Sequence, residues 1–211
     1  MCGVIGYIGD AIDTKILFQG LKRLEYRGYD SAGIAVLNSS TIKIIKADGK
    51  LENLEKKLNL LPEKTVLGMG HTRWATHGKP TEKNAHPHQS ENFVLLHNGI
   101  IENYKELKSF LLEKKYNFLS ETDTEVALHY LHYEYHVTHQ NEPNKLLRTK
   151  KSIQSLVKKI TGAFAFVIIN SEVPDHLFVV KLGSPLVLGI GLHGNYVASG
   201  ITFWTIHVLY I

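Results

Sequence analysis

The sequence holds a single cysteine, and it stands at position 2. Removal of Met1, which a small second residue permits, makes Cys2 the terminal residue. Its thiol then shares a residue with a free α-amine whose unperturbed pKa is about 7.7–8.0, close to working pH. One residue supplies nucleophile and base together, as in the pairing of threonine with a terminal amine. The plain alternative is a small hydrophobe near a chain end. Three other segments carry groups that complement such a thiol. His71-Thr72-Arg73-Trp74-Ala75-Thr76-His77-Gly78 offers Arg73, whose planar fork holds a carboxylate through two parallel hydrogen bonds, or else is a surface arginine beside a packed tryptophan. In His97-Asn98-Gly99 the Asn amide and the following Gly N–H can hold a developing oxyanion, although Asn-Gly is also an ordinary turn dipeptide. Ser120-Glu121-Thr122-Asp123-Thr124-Glu125 reads alone as a helix cap with acids in the first turn. An α-amino acid substrate carries one carboxylate and one ammonium. Arg73, Asp123, Cys2 and the pair Asn98–Gly99 supply the cation, anion, nucleophile and oxyanion hole that such a substrate needs.

Periodicity indicates the elements that must position these groups. Residues 3–8 read as a short buried strand starting directly after the cysteine. Leu17, Leu21 and Leu24 fall on one helical face. Residues 33–37 and 42–45 read as strands around a polar turn at 38–40. Leu51, Leu54 and Leu58 mark one short helix that stops before Pro62. Residues 66–69 and 93–96 are apolar strand candidates. Between them, residues 73–91 form a polar loop without periodicity, and a loop that long is more often functional than structural. Tyr104, Leu107 and Leu111 predict a helix, and a second starts near Thr122 and runs into 130–135. Residues 136–151 are polar and read as a surface connection. Ile153, Leu156, Val157 and Ile160 give another helical stripe. Residues 163–169, 177–180 and 186–190 are β-rich. Strands interleaved with helices imply an α+β layered fold.

Composition narrows the class. With 211 residues, 44% hydrophobic and 21% charged, the chain is an ordinary globular domain with length enough for a real core. The formal net charge is only +4, with the basic residues spread along the chain. The densest cluster, Lys145, Arg148, Lys150 and Lys151, has no aromatic platform beside it, so nucleic-acid binding is not expected. One cysteine allows no internal disulfide and fits a reducing compartment. There is no signal-peptide pattern and no apolar run long enough to span a bilayer, so a cytoplasmic protein is expected. His129, His132, His136 and His139 share a helical face, but no carboxylate completes a familiar metal motif, and the expectation is no metal and no cofactor.

The motifs taken in order carry a resemblance. They are Met1-Cys2-Gly3-Val4-Ile5-Gly6, residues 21–33 around Tyr26-Arg27-Gly28-Tyr29-Asp30, residues 70–78, Asn84-Ala85-His86-Pro87-His88, residues 97–103, residues 120–126 and Gly183-Ser184-Pro185-Leu186. With these the sequence resembles the class II (N-terminal nucleophile) glutamine amidotransferases. Within that class it looks most like the glutaminase domain of the glutamine–fructose-6-phosphate aminotransferases. The resemblance implies an αββα sandwich of two mainly antiparallel sheets, spanning residues 2–199. It implies that Cys2 attacks the side-chain amide of glutamine to form a γ-glutamyl thioester and release ammonia. Asn98 and Gly99 then hold the oxyanion. Arg73, helped by Thr76 and His77, pairs with the α-carboxylate, and Asp123 with the α-ammonium. Trp74 lies in a loop that closes over the site, and Arg27 supports the surroundings of the nucleophile.

Two features depart from that pattern. The family continues into a sugar-isomerase part that binds fructose 6-phosphate, which these residues lack. Residues 200–211 form an apolar tail with no counterpart in the family, as a frame change or a split gene would produce. An active glutaminase, alone or feeding a separately encoded isomerase domain, is therefore weighed against an inactive or partner-binding remnant. A class II amidotransferase with another ammonia acceptor is the third reading.

Overall fold

The first strand leaves Cys2 and alternates between two destinations. β1 (Gly3–Asp13) sends Val4 and Ile8 to one face and Ile5 and Tyr7 to the other, with a break in register between Ile8 and Ile12. The computed structural model describes residues 2–74 and 79–200. Within them β1 lies inside a six-stranded sheet in the order β3-β2-β4-β1-β10-β9. Its partners are β2 (Ser31–Asn38), β3 (Thr41–Asp48), β4 (Lys64–Arg73), β9 (Val187–Gly191) and β10 (Gly194–Ala198). A second sheet has the order β5-β6-β7-β8, from β5 (His88–Ser90), β6 (Phe93–Ile101), β7 (Gly162–Asn170) and β8 (Leu177–Leu182). Every strand pairing in both sheets is antiparallel.

Period-two alternation builds the sandwich. Val4, Leu67 and Met69 of the first sheet meet Val94, Leu96, Val167 and Ile169 of the second in the central core. On the outer face of the first sheet, Ile5, Ile34 and Val36 pack under α1 (Lys15–Arg23) and α2 (Leu51–Glu55). Burial of a side chain such as Leu17 or Leu21 contributes roughly 1.5–3 kcal/mol. α1 lies close on the sheet because β4 carries glycine beneath it: a Cβ on Gly70 would stand 2.9 Å from Leu21 Cδ1. On the outer face of the second sheet, Phe93, Leu95, Phe164, Phe166 and Ile168 pack against α3 (Tyr104–Glu113), α4 (Asp123–Tyr133) and α5 (Lys145–Lys159). The layers are helix, sheet, sheet, helix, as expected.

Several expectations need correction. The helix foreseen from Leu51 to Leu58 is two pieces, α2 and a 3-10 turn at Leu58–Leu60. The loop at 73–91 contains a 3-10 turn, Glu82–Asn84, and the strand β5. α4 runs on into a π-helical turn, Glu134–Thr138. The polar connection at 136–151 is partly helix, since α5 starts at Lys145 under an Asn144 cap whose side chain accepts from Leu147 N at 3.0 Å. Thr149 and Ser152 are buried there, and each hydroxyl donates to the carbonyl four residues back. These small polar residues occupy the inward face, so the apolar period did not reveal the first two turns. The basic cluster on α5 is locally compensated: Lys145 pairs with Glu172, Lys151 with Glu142, and Arg148 lies over the Tyr135 ring.

Candidate active site

Strand ends and one helix start bring the predicted groups together. Cys2 precedes β1, Arg73 ends β4, Asn98 and Gly99 lie near the end of β6, and Asp123 begins α4. Cys2, Arg73, Trp74, Asn98, Gly99 and Asp123 all line one cavity of about 240 Å³. That is small beside the roughly 300–1,000 Å³ usual for ligand pockets, and suits a molecule of amino-acid size. His86, His97, Ile100, Thr122 and Ser184 complete the lining.

Cys2 is held by its backbone and addressed by its neighbours. Its carbonyl accepts from Asn98 Nδ2 at 2.8 Å and from Ser199 Oγ at 3.2 Å. The next residue, Gly3, donates its N–H to Thr72 Oγ1 at 3.1 Å. Trp74 N–H donates to the sulfur at 3.1 Å. Burial pushes the thiol pKa up, and the Trp74 N–H offsets only part of that. The Trp74 indole is half-exposed and meets Tyr29 edge-on, with centroids 5.4 Å apart.

Asn98 is oriented from behind. His71 Nε2 lies 2.9 Å from Asn98 Oδ1 and 3.2 Å from the His97 carbonyl. Both neighbours are acceptors, so this nitrogen carries the hydrogen. Burial drives the His71 pKa down to about 3, so the ring is neutral. His71 thereby fixes the amide with its oxygen inward and its nitrogen towards Cys2. One Nδ2 hydrogen is committed to the Cys2 carbonyl, leaving the second for a ligand. Gly99 sits at φ 129°, where a Cβ would stand 2.0 Å from the Ala163 carbonyl oxygen, so only glycine fits.

The charged groups are buried and anchored. Arg73 is 3% exposed and donates from Nη1 to the Lys79 carbonyl at 3.2 Å. Burial lowers its pKa, against the pull of Cys2, Asp30, Asp123 and Glu121, and an arginine stays charged regardless. Asp123 Oδ2 accepts the Ile101 N–H at 2.9 Å, and His97 Nδ1 stands 3.9 Å from Oδ1. Thr122 caps α4 by accepting from Glu125 N at 3.2 Å, and Thr122 Oγ1 lies 3.0 Å from His88 Nε2. Arg27 does not line the cavity; its Nε donates to Tyr26 Oη at 3.0 Å and its guanidinium lies beside Gly200. Thr76, His77 and the tail from 201 to 211 lie outside the described residues.

Sequence reasoning missed the histidines. His71, His86, His88 and His97 converge here, with centroids of His71 and His86 4.5 Å apart and of His86 and His88 5.1 Å apart. Ser199 was missed as well, though it holds the Cys2 backbone from the far end of the described chain. The signal available was composition: three histidines close to the candidate motifs at 73 and 98, plus the run His86-Pro87-His88.

Known proteins share both sequence and architecture. A sequence profile of the family described as "Glutamine amidotransferase domain" matches residues 71–201. The chain is 47% identical over 201 residues to the glutamine–fructose-6-phosphate aminotransferase (isomerizing) of Legionella pneumophila (strain Paris), covering 94% of this chain and 32% of the relative. It is 48% identical over 206 residues to the same enzyme of Helicobacter pylori (strain J99), covering 96% and 33%. The chain thus spans about a third of the length of the curated relatives it matches. Among solved structures, the glutamine phosphoribosylpyrophosphate amidotransferase of B. subtilis, complexed with ADP and GMP, superposes with a TM-score of 0.79 at 28% identity. That match covers 96% of this chain and 42% of the other. A glutamine aminotransferase class-II domain protein from Silicibacter pomeroyi shares the fold, with a TM-score of 0.57 at 14% identity over 94% of this chain and 88% of that one.

Proposed function

The chain belongs to the glutamine amidotransferase domain family, and from that premise we propose that Cys2, exposed by removal of Met1, hydrolyses the side-chain amide of glutamine. One observation carries this reading: thiol, amide donor, guanidinium and carboxylate, drawn from four separate stretches of chain, line a single small cavity.

Sγ attacks the amide carbon of glutamine, and its proton passes to the α-amine of Cys2. A thiol whose pKa is raised by burial needs such a base. Negative charge moves to the amide oxygen, where Asn98 Nδ2 and Gly99 N–H stabilise it. The carbon–nitrogen bond breaks, the α-ammonium returns its proton to the leaving nitrogen, and ammonia departs from a γ-glutamyl thioester. Water, deprotonated by the same amine, attacks the thioester, giving glutamate and free thiol. Arg73, helped by Thr76 and His77, holds the substrate α-carboxylate, Asp123 holds the α-ammonium, and Trp74 covers the mouth. Arg27 acts at a distance, through the 3-10 turn Glu25–Arg27 that leads to the strand beside β4. No metal or cofactor takes part.

For the ammonia we infer the acceptor named in the relatives, fructose 6-phosphate, with a sugar-isomerase module as partner. The identity of 47–48% across this domain supports that acceptor. We further infer a domain boundary near residue 199, after β10, the last described strand of the first sheet. The assay that tests the function measures ammonia and glutamate from purified protein with its N-terminus checked by mass spectrometry. Cys2→Ala is expected to release none while keeping the wild-type fold by circular dichroism; equal release by both proteins would overturn the assignment. Residues 1–211 alone are expected to make no amino sugar when fructose 6-phosphate is added.

A further inference from the structure

We propose that Glu91, His132 and His136 form a site for a divalent transition-metal ion of the imidazole-preferring class, such as Zn²⁺, joining the β5–β6 turn to α4. His132 lies near the end of α4 and His136 in the π-helical turn that follows. Four residues apart, they face the same way, with ring centroids 4.3 Å apart and planes at 33°. Glu91 comes from a distant part of the chain, in the two-residue turn between β5 and β6. Its Oε2 stands 3.2 Å from His132 Nε2 and 3.6 Å from His136 Nε2. Two donors bound at about 2.0–2.2 Å to a tetrahedral ion are roughly 3.3–3.6 Å apart, so the spacing matches before any ion arrives.

The donor atoms around His132 can serve an ion. His132 Nε2 is buried and makes no hydrogen bond, despite the short distance to Glu91. The lone pair of that nitrogen can serve an ion that Glu91 also ligates. Behind the ring, Tyr116 Oη is 2.7 Å from His132 Nδ1, the kind of outer partner that orients a ligating imidazole. A fourth donor adjoins. Asn92 Oδ1 lies 3.0 Å from His136 Nε2, and the Asn92 amide is fixed by donating from Nδ2 to Asn170 Oδ1 at 2.7 Å. Binding an ion moves the His136 ring hydrogen from Nε2 to Nδ1, so that the lone pair faces the metal. Two imidazoles, a carboxylate and an amide oxygen suit zinc, copper(II) or nickel rather than calcium or magnesium.

The surroundings permit entry and carry little opposing charge. The Glu91 side chain is 68% exposed, which leaves the site open on one side. Arg148 and Glu172 both reach His136 electrostatically and with opposite signs, and the Arg148 guanidinium is committed to the Tyr135 carbonyl and ring. Glu91 also has φ 48°, in the left-handed region that glycine favours, so a carboxylate stands where the turn itself prefers a residue without one. None of these residues lines the Cys2 cavity, so the proposal is independent of the glutaminase reading.

Isothermal titration of chelator-treated full chain with Zn²⁺ tests it, in wild-type and Cys2→Ala backgrounds so that capture by the thiol is told apart. The expected result in Cys2→Ala is one equivalent bound, at least about tenfold more weakly after Glu91→Gln and lost after His136→Gln. Zn²⁺ should also raise the melting temperature of the Cys2→Ala chain and not that of the variants. Glu91 sits on an exposed turn, so Glu91→Gln keeps the answer readable even if the histidine variant misfolds. Absence of stoichiometric binding in Cys2→Ala, or equal affinity with and without Glu91, would sink the site.

Discussion

Two groups of four histidines occupy this chain, and they differ in how they are made. His71, His86, His88 and His97 come from β4, the loop before β5, β5 and β6, yet they meet in one place, each no more than 5% exposed. His129, His132, His136 and His139 follow one another along α4 and the π-helical turn, yet they part company. His129 lies by Glu125, His132 and His136 by Glu91, and His139 by Glu134. The dispersed group surrounds the candidate site, with His71 against Asn98 and His88 against Thr122 beside Asp123. The contiguous group divides among three carboxylates, and only His132 and His136 share one, Glu91, where the metal site is proposed. Regular spacing shows only that residues share a helix face. Convergence at a cavity is decided by sheet register, which local spacing does not contain.

Acid should separate the two groups first. Burial holds His71 at about 3, and His86 and His88 well below the ordinary imidazole value, so the folded protein keeps these rings neutral. An unfolded histidine takes up a proton below about pH 6.5. Stability from these rings is therefore complete above about pH 6.5 and is lost as pH falls below it. For His71, held at about 3, the cost at pH 4.5 is about 2–3 kcal/mol, a large share of the ~5–15 kcal/mol that holds a domain together. Glu125 acts in a lower window. Burial raises its pKa, but His129 and the donors of Ser120 and Leu119 outweigh that and hold it at about 2. Its stabilisation is present above about pH 4.3 and lost below it. Urea unfolding at pH 7.5 and 4.5 isolates the histidines, and equal midpoints would contradict their neutral burial.

His71→Ala probes the same group through chemistry. Asn98 Oδ1 then loses its donor and the amide is free to turn. The expected fall in kcat is about 10²–10³-fold, as for loss of one oxyanion donor, with KM changed far less. His71→Gln, which restores an N–H donor, should recover part of it. An unchanged kcat in His71→Ala would mean that the Cys2 carbonyl alone orients Asn98.

The candidate residues that line the cavity were the legible part. Cys2, Arg73, Asn98, Gly99 and Asp123 each sit where chain geometry is local: a terminus, two strand ends and a helix start. A short motif describes such places, and the cavity gathers all five. Their supports were not legible. His71 is one more residue of a strand until β4 of the first sheet is laid over β6 of the second, and Ser199 meets Cys2 only because β10 pairs with β1. Glu91 was hidden for the same reason, being separated by about 40 residues of sequence from the histidines it faces. Most strands were legible as apolar runs, because β2, β6 and β7 are buried on both faces, whereas the short β5 and the Gly194–Ala198 strand were not. The start of α5 was not, because Thr149 and Ser152 fill its inward face.

His88→Leu should act more mildly, and on binding. His88 Nε2 lies 3.0 Å from Thr122 Oγ1, which caps the helix that begins with Asp123. Losing that hydrogen bond leaves the Thr122 hydroxyl with Ser120 Oγ and the Glu125 N–H, at a cost of about 0.5–1.5 kcal/mol. The expected result is a lower melting temperature and a KM for glutamine raised roughly tenfold, within what 1.4 kcal/mol per decade allows, while kcat changes little. A fall in kcat with KM preserved would place His88 with His71 as a support of the oxyanion hole instead.

The smallest effect belongs to the contiguous group. His139 closes the π-helical turn, its N–H donating to the Glu134 carbonyl at 2.9 Å. Its ring makes one hydrogen bond, between Nε2 and Ser155 Oγ at 3.0 Å, and stands 3.6 Å from Glu134 Oε2. A contact of 3.6 Å is too long for a hydrogen bond. Glutamine has similar reach and both a donor and an acceptor, so His139→Gln can keep a bond to Ser155. Stability should therefore change by less than about 1 kcal/mol, as for most substitutions outside a core. Ammonia release should be unchanged, because His139 touches nothing that lines the cavity. The comparison is sharpest in a paired experiment, with His139→Gln and His71→Gln measured side by side at pH 7.5 and 4.5. If His139→Gln shifts the acid midpoint as much as His71→Gln does, the division of the histidines into a buried functional group and a divided helical one is wrong.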